Sequence, residues 1–231
     1  MARSRHVTRE ARNRERISTL NDLWLEWVKA NVGFDLDLTL VDTRRAMEAA
    51  AAGINHALGV HIDLQSFVSH TGPPVRQQLS EWVPERQLDD AVRVFRSTFL
   101  GPGADLLAPT PAAHEALALA RSTGRQAVVI TSRLPHVAER MLSACRLRPD
   151  VLIGGLTGLE KTAAMRETRI ACYIGDHPLD MIGAKAAGVR GIGLLTGFHS
   201  EAELREAGAE TILSDLTEFS RDLINCNLHA G

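Results

Sequence analysis

From residue 110 onward, short continuous apolar runs alternate with stretches in which apolar residues recur every three or four positions. The runs predict strands over 127–132, 151–153, 170–176, 191–195 and 211–213. The periodic stretches predict helices over 111–123, 136–145, 161–167, 179–187 and 216–223, with Gly188 closing the fourth. Ser200-Glu201-Ala202-Glu203 reads as a capping box opening one more short helix. Strands without polar alternation, each followed by a helix, imply a parallel sheet covered by helices. Residues 32–36 form a further apolar run of this kind, opened near a glycine.

The segment between these two regions has a different rhythm. Residues 46–58 are alanine-rich, with Met47, Ile54 and Leu58 as apolar markers and Gly59 placed to end a helix. Helical spacing continues over 64–68, 75–82 and 88–99. Thr71-Gly72-Pro73-Pro74 interrupts it, with Pro74 suited to a first helical turn. No strand pattern occurs here, so the segment reads as a helical insert of roughly 60 residues. Gly101-Pro102-Gly103 marks the return of the chain.

At the other end, residues 17–28 place Ile17, Leu20, Leu23, Trp24, Trp27 and Val28 on one face of an amphipathic helix. Residues 1–16 carry Arg3, Arg5, Arg9, Arg12, Arg14 and Arg16. Such an arm either contacts an anion or nucleic acid or is a solvated tail; the absence of interleaved aromatics favours the tail.

A chain of 231 residues, 45% hydrophobic and 23% charged, accommodates one α/β domain with an insertion, or two small domains. Its net charge of −2 gives no global case for nucleic acid or membrane partners. No apolar stretch is long enough for a membrane helix, and the N-terminus lacks the apolar core of a secretory signal. Cys145, Cys172 and Cys226 lack metal-type spacing, which fits reduced thiols and a cytoplasmic address.

Chemistry is concentrated where the apolar runs end. Asp35 and Asp37 sit where the run over 32–36 ends, two residues apart on an extended segment and so on the same side. Carboxylates are costly to bury unpaired, so a cation must meet them. A hard, oxygen-seeking ion such as Mg²⁺ suits the pair. The run over 127–132 ends in the hydroxyls Thr131 and Ser132, and the run over 170–176 ends in Asp176, with Asp180 four residues further on. In parallel α/β sheets the carboxyl ends of the strands are where ligands bind.

Asp35-Leu36-Asp37-Leu38-Thr39 resembles the first motif of the haloacid dehalogenase superfamily of phosphohydrolases. Thr131 after its apolar run resembles the second. Lys161, one of only three lysines in the chain, resembles the third, although Thr162 stands where many relatives have proline. Gly175-Asp176-His177-Pro178-Leu179-Asp180 and the helix after it are similar to the fourth. The helical insert and Thr71-Gly72-Pro73-Pro74-Val75-Arg76 resemble the cap of the phosphoglycolate-phosphatase-like branch.

The resemblance implies a Rossmann-like three-layer α/β core over 31–44 and 104–231, a helical cap over 45–103, and an added N-terminal segment over 1–30. It implies Asp35 as nucleophile, Asp37 as general acid/base, and Thr131 and Ser132 as partners of the phosphoryl group. Lys161 would neutralise charge. Mg²⁺ would be held by the Asp35 carboxylate, the Asp37 backbone carbonyl and Asp176. Asp180 would orient the metal's waters or Lys161, and His177 is given no role. Arg44, Arg45 and Arg76 are candidates for a second anionic group on the substrate, or are simply solvated charges. Leu38 stands where glycine is commonest, which bears on the substrate.

Within the family that the chain resembles, dehalogenases and phosphonatases lack an acid at the position of Asp37, so the resemblance implies phosphoester chemistry. The function implied is Mg²⁺-dependent hydrolysis of a small phosphorylated metabolite by a monomer or homodimer, through an aspartyl-phosphate. A phosphomutase needs the same residues. A non-catalytic phosphate-binding or interaction protein is the alternative from another class, against which the complete set of acids and lysine speaks.

Overall fold

The computed structural model describes residues 30–220. The expected basic arm, the helix over 17–28, residues 221–223 of the expected last helix and Cys226 lie outside them. The described residues after Ala30 belong to one compact unit.

Six parallel strands form the core sheet. They are β1 (Asn31–Phe34), β4 (Ala127–Thr131), β5 (Val151–Gly154), β6 (Ile170–Gly175), β7 (Arg190–Leu194) and β8 (Thr211–Leu213), in the spatial order β5-β4-β1-β6-β7-β8. The first strand among the described residues therefore lies near the middle of the sheet. In register, Phe34 sits opposite Val129 on one side and Ile174 on the other. The chain accordingly leaves β1, β4 and β6 at the same edge, where Asp35, Ser132 and Asp176 follow.

Alternation along the strands sorts side chains into two apolar layers. Val32, Phe34, Val129, Cys172 and Ile174 join a core with α5 (Ala113–Ser122) and α6 (Pro135–Ala144). Val128, Ile130 and Tyr173 join the opposite one, with α7 (Lys161–Glu167) and α8 (Pro178–Ala187). The parallel sheet expected from the alternation is present, in the three-layer Rossmann-like arrangement that the resemblance implies. A capping box at Ser200 and Glu203 starts α9 (Glu201–Ala207), as the sequence predicts.

The helical insertion rises from a short antiparallel pair, β2 (Val41–Asp42) and β3 (Ala108–Pro109). Between them lie α1 (Arg44–Leu58), α2 (Leu64–Ser69), α3 (Val75–Leu79) and α4 (Leu88–Leu100), forming a cap. Gly59 ends α1 at φ 63°, a left-handed backbone that suits glycine. Asp63 starts α2 by accepting from Ser66 N–H. Phe67, Phe95 and Phe99 pack ring on ring in the middle, centroids 5.5–6.0 Å apart.

The structure differs from the sequence expectation in a few places, each with a local cause. Pro74 is extended (φ −55°, ψ 138°) and precedes α3 instead of opening it. Residues 80–82 leave the helix as a turn. Ala112 has φ 59°, which delays α5 until Ala113. The β2–β3 pair is too short to carry an alternating pattern. The last helix is a three-residue turn, Leu216–Glu218, in the described part.

Phe34 is fully buried and meets Phe219 edge to face at 5.9 Å. Replacing it with alanine is expected to cost roughly 3–5 kcal/mol. Urea denaturation would show this as a lower midpoint with an unchanged slope; a loss below about 1 kcal/mol would contradict the central place given to this strand.

Candidate active site

Asp35 is the first residue after β1, and its N–H bonds Ile174 O at 2.8 Å, so β6 still holds the backbone there. The chain then turns tightly. Leu38 N bonds Val41 O, and Leu40 N and Val41 N both bond Leu36 O. Leu38 takes φ 56°, a left-handed conformation that a leucine rarely adopts. The turn puts Asp35, Asp37 and Leu38 on the wall of a cavity of about 400 Å³. Pro73, Pro74, Val75, Phe95 and Phe99 of the cap form its other wall, and Ser132, Arg133, Lys161, Asp176 and Asp180 also line it.

Lys161 is brought to this cavity by a capping box. Thr157 and Glu160 bond each other's backbone and fix a short turn whose end is the first residue of α7. The buried ammonium uses all three of its donors: 2.6 Å to Asp35 Oδ1, 2.6 Å to Asp180 Oδ1 and 3.0 Å to Tyr173 Oη. Tyr173 in turn donates to Ile130 O at 2.6 Å, which fixes its oxygen as an acceptor for the lysine. Burial alone would lower the pKa of Lys161, but the Asp180 and Asp35 carboxylates outweigh it and hold the ammonium firmly charged.

Asp176 lies beside this group and is held differently. Thr39 Oγ1 donates to Asp176 Oδ1 at 2.9 Å, and Thr110 Oγ1 fixes the Thr39 carbonyl at 2.6 Å. Gly197 backs the other oxygen so closely that a Cβ there would stand 2.2 Å from Asp176 Oδ2. Oxygens from Asp35, Asp176 and Asp180 come within 4.8 Å of one another. Burial drives the Asp35 carboxyl up to about 7, against the pull of Lys161. Burial, with Asp35 and Asp180 adding repulsion, raises Asp176 well above the usual carboxylate range. Three buried acids stand together where a single ammonium pairs with only two of them, Asp35 and Asp180, a cluster of hard oxygen donors short of positive charge. This is a donor set that fits a divalent cation such as Mg²⁺.

Asp37 points to a partner that the sequence reading did not include. Arg133, on the loop after β4, holds its carboxylate with Nε at 3.0 and 3.2 Å and Nη2 at 2.7 Å. The pair is almost buried, with side-chain exposures of 13% and 11%. Arg133 follows two hydroxyl residues, and nothing local in the sequence marks it. Tyr173 was likewise legible only as a strand residue.

The remaining expected residues separate into those on the cavity wall and those off it. Ser132 lines the cavity. Thr131 is fully buried beneath it, its Oγ1 accepting from Arg133 N at 3.2 Å. Arg76 lines the cavity but is bound to Glu85 at 2.9 Å and to Asp89. Arg44 is bound to Asp42 at 2.6 Å and is not among the cavity residues. His177 accepts from Leu179 N at 3.0 Å as the cap of α8, and stands edge to face with His199. Burial pushes its pKa down to about 4, so it is neutral at pH 7.

A parallel α/β core whose strand ends gather acids around one lysine, under a helical cap, defines a hydrolase-type site of a particular kind. The family model of haloacid dehalogenase-like hydrolases matches residues 32–194, and the chain belongs to that family. It is 26% identical to a phosphoglycolate phosphatase of Caulobacter vibrioides, over 90% of this chain and 94% of that one. It is also 26% identical to a phosphoglycolate phosphatase of Chromobacterium violaceum, over 84% and 96%. The fold is similar to that of a haloacid dehalogenase-like hydrolase from Streptococcus pneumoniae, with a TM-score of 0.73, 22% identity, and 83% and 96% of the two chains covered. Among the described residues no helix is long and apolar enough to cross a membrane.

The raised carboxyls give a pH signature. Between the ordinary carboxylate range and about 7, the folded metal-free chain keeps a proton on Asp35 that the unfolded chain has released. That contribution to stability falls as the pH rises through the window. A divalent cation bound by the ionised acids offsets the loss, by about 2.7 kcal/mol at a hundredfold excess over its Kd. Mg²⁺ is therefore expected to raise the thermal midpoint by several degrees at pH 7.5 and by much less at pH 5. Equal shifts at the two pH values in differential scanning calorimetry would count against the cluster as the binding site.

Proposed function

We propose that the protein is a Mg²⁺-dependent phosphatase acting on small phosphomonoesters through an aspartyl-phosphate on Asp35. The observation that carries this reading is the position of Lys161, bonded to both Asp35 and Asp180 with Asp176 alongside, on a cavity that Asp37 also faces. The names of the curated relatives, phosphoglycolate phosphatases, support a small phosphorylated substrate.

In this reading an Asp35 oxygen forms a bond to phosphorus while the phosphorus–oxygen ester bond breaks, and the electron pair leaves with the alcohol oxygen. Asp37 gives that oxygen its proton. In the second half, Asp37 takes a proton from a water whose oxygen attacks phosphorus; phosphate departs and the Asp35 carboxylate is restored. Lys161 Nζ lies 2.6 Å from Asp35 Oδ1 and neutralises charge as it builds on the phosphoryl oxygens. Its bonds to Asp180 and Tyr173 keep it from moving, which makes Asp180 a positioning residue. Ser132 supplies a hydroxyl at the cavity wall, and Thr131, whose Oγ1 accepts from Arg133 N, keeps its own O–H as a donor. The Asp35 carboxylate, the Asp37 backbone carbonyl and Asp176 would hold Mg²⁺, which when bound supplies positive charge to the phosphoryl oxygens.

The cap is taken as residues 45–103, with 31–44 and 104–231 as the core. Arg76, on the cavity wall, is the best placed of the three arginines considered for a second anionic group, since neither Arg44 nor Arg45 lines the cavity. Arg44 stays with Asp42 at the foot of the cap. The apolar cap residues exclude water from the reacting centre.

Phosphate release from a panel of small phosphomonoesters tests the reading, with wild type beside Asp35→Asn and with or without Mg²⁺. Turnover is expected in Mg²⁺ only, and the substitution is expected to lower it by at least about 10³-fold, the scale for loss of a covalent nucleophile. Wild-type inactivity on every ester, or an Asp35→Asn enzyme as fast as wild type, would overturn it.

A further inference from the structure

Asp37 stands on a turn, whereas Asp35, Asp176 and Lys161 adjoin the sheet or begin a helix packed on it. What fixes Asp37 is the Arg133 guanidinium, which reaches both carboxylate oxygens. The same guanidinium has two further contacts, and both belong to the cap. Its Cζ lies 4.7 Å from the centroid of the Phe99 ring in α4, and Nη2 lies 3.4 Å from Met47 Sδ in α1. One planar group thus ties Asp37 to the first and last helices of the cap. Oδ1 accepts from both Nε and Nη2, whereas Oδ2 accepts from Nε alone and keeps a second lone-pair direction, so the contact orients Asp37 without using up its capacity toward the cavity it lines.

We propose that Arg133 is the positioning residue of Asp37, and that through Phe99 and Met47 it makes the orientation of that carboxyl depend on the cap. The proposal rests on the phosphatase reading and deepens it. A planar fork fixes both the angle and the distance of the acid that protonates the leaving oxygen, which a lysine at this position cannot do. Without the fork the carboxyl is free to rotate about the turn, and proton delivery to the leaving group is lost while attack by Asp35 remains.

Leaving groups of graded basicity separate these effects. The first phosphoryl transfer is read by kcat/KM, and the hydrolysis of the aspartyl-phosphate, common to all substrates, drops out of it. Ethyl phosphate needs a proton on its leaving oxygen, phenyl phosphate needs one less, and 4-nitrophenyl phosphate needs none. Arg133→Gln is expected to lower kcat/KM about 100-fold on ethyl phosphate and less than about 5-fold on 4-nitrophenyl phosphate, the range supplied by general-acid catalysis. Arg133→Lys, which keeps the charge and disturbs packing least, is expected to show the same gradation with only partial recovery. Phe99→Leu, which removes the ring beneath the guanidinium, is expected to show it more weakly.

Equal losses on all three esters would mark Arg133 as merely structural and overturn the proposal. Gradation in the Arg133 variants with none in Phe99→Leu would overturn the dependence on the cap. Inactivity of the wild type on all three would instead bring down the phosphatase reading itself, a result distinct from either. Circular dichroism and thermal midpoints of each variant identify any loss that comes from unfolding.

Discussion

One buried ammonium governs the charge of the site. Lys161 lies 2.6 Å from an oxygen of Asp35 and 2.6 Å from one of Asp180, with a side-chain exposure of 4%. Removing such charges from water is costly, and only close pairing with complete hydrogen bonding offsets the cost. The chain meets that condition fully on the lysine side. Tyr173 takes the third donor, Ile130 O fixes Tyr173, and the Thr157–Glu160 box sets the start of α7. It does not meet it on the carboxylate side, where Asp35 and Asp176 are both pushed upward by burial. The arrangement is complete in protein donors and short of positive charge, which is what a cation-binding site requires before its ion arrives.

The topology makes this gathering possible. Parallel strands with β1 between β4 and β6 put three chain exits side by side, and consecutive residues there point into one cavity. The two halves of the chemistry are then mounted differently. Asp35, Lys161, Asp180 and Asp176 are fixed by the sheet, by two helix starts and by the close approach of Gly197. Asp37 sits on the turn beyond and is fixed by Arg133, whose other neighbours are in the cap. In the proposed reading, a rigidly held nucleophile and a cap-linked acid follow from which element each residue adjoins.

Much of this was legible along the chain because strand ends are visible in the sequence. The strand over 170–176, the helix over 161–167 and the caps at Gly59, Gly188 and Ser200 carry local signals, and each is close to where it was expected. The acids of the first and fourth motifs were readable for the same reason. Arg133 and Tyr173 were not, since their roles come from partners 96 and 12 residues away in the chain. Nor were the pairings of Arg44 with Asp42 and of Arg76 with Glu85 and Asp89, which occupy cations that the sequence leaves looking available. The β2–β3 pair escaped for another reason: two residues per strand, one of them Pro109, give no period to detect.

Leu38 shows how a departure from the family pattern can be read physically. At φ 56° a leucine costs about 1–2 kcal/mol relative to glycine. The backbone is held there by the bonds from Leu38 N to Val41 O and from Leu40 and Val41 to Leu36 O, which close the turn regardless of the side chain. Burial of the leucine side chain, which is 3% exposed, returns about as much as the strain takes. A glycine would remove that side chain from the wall of the cavity that Leu38 lines with Asp35, Asp37 and the cap residues. The leucine side chain is therefore part of the cavity wall, and the turn that carries Asp35 and Asp37 shapes that cavity together with the cap above it.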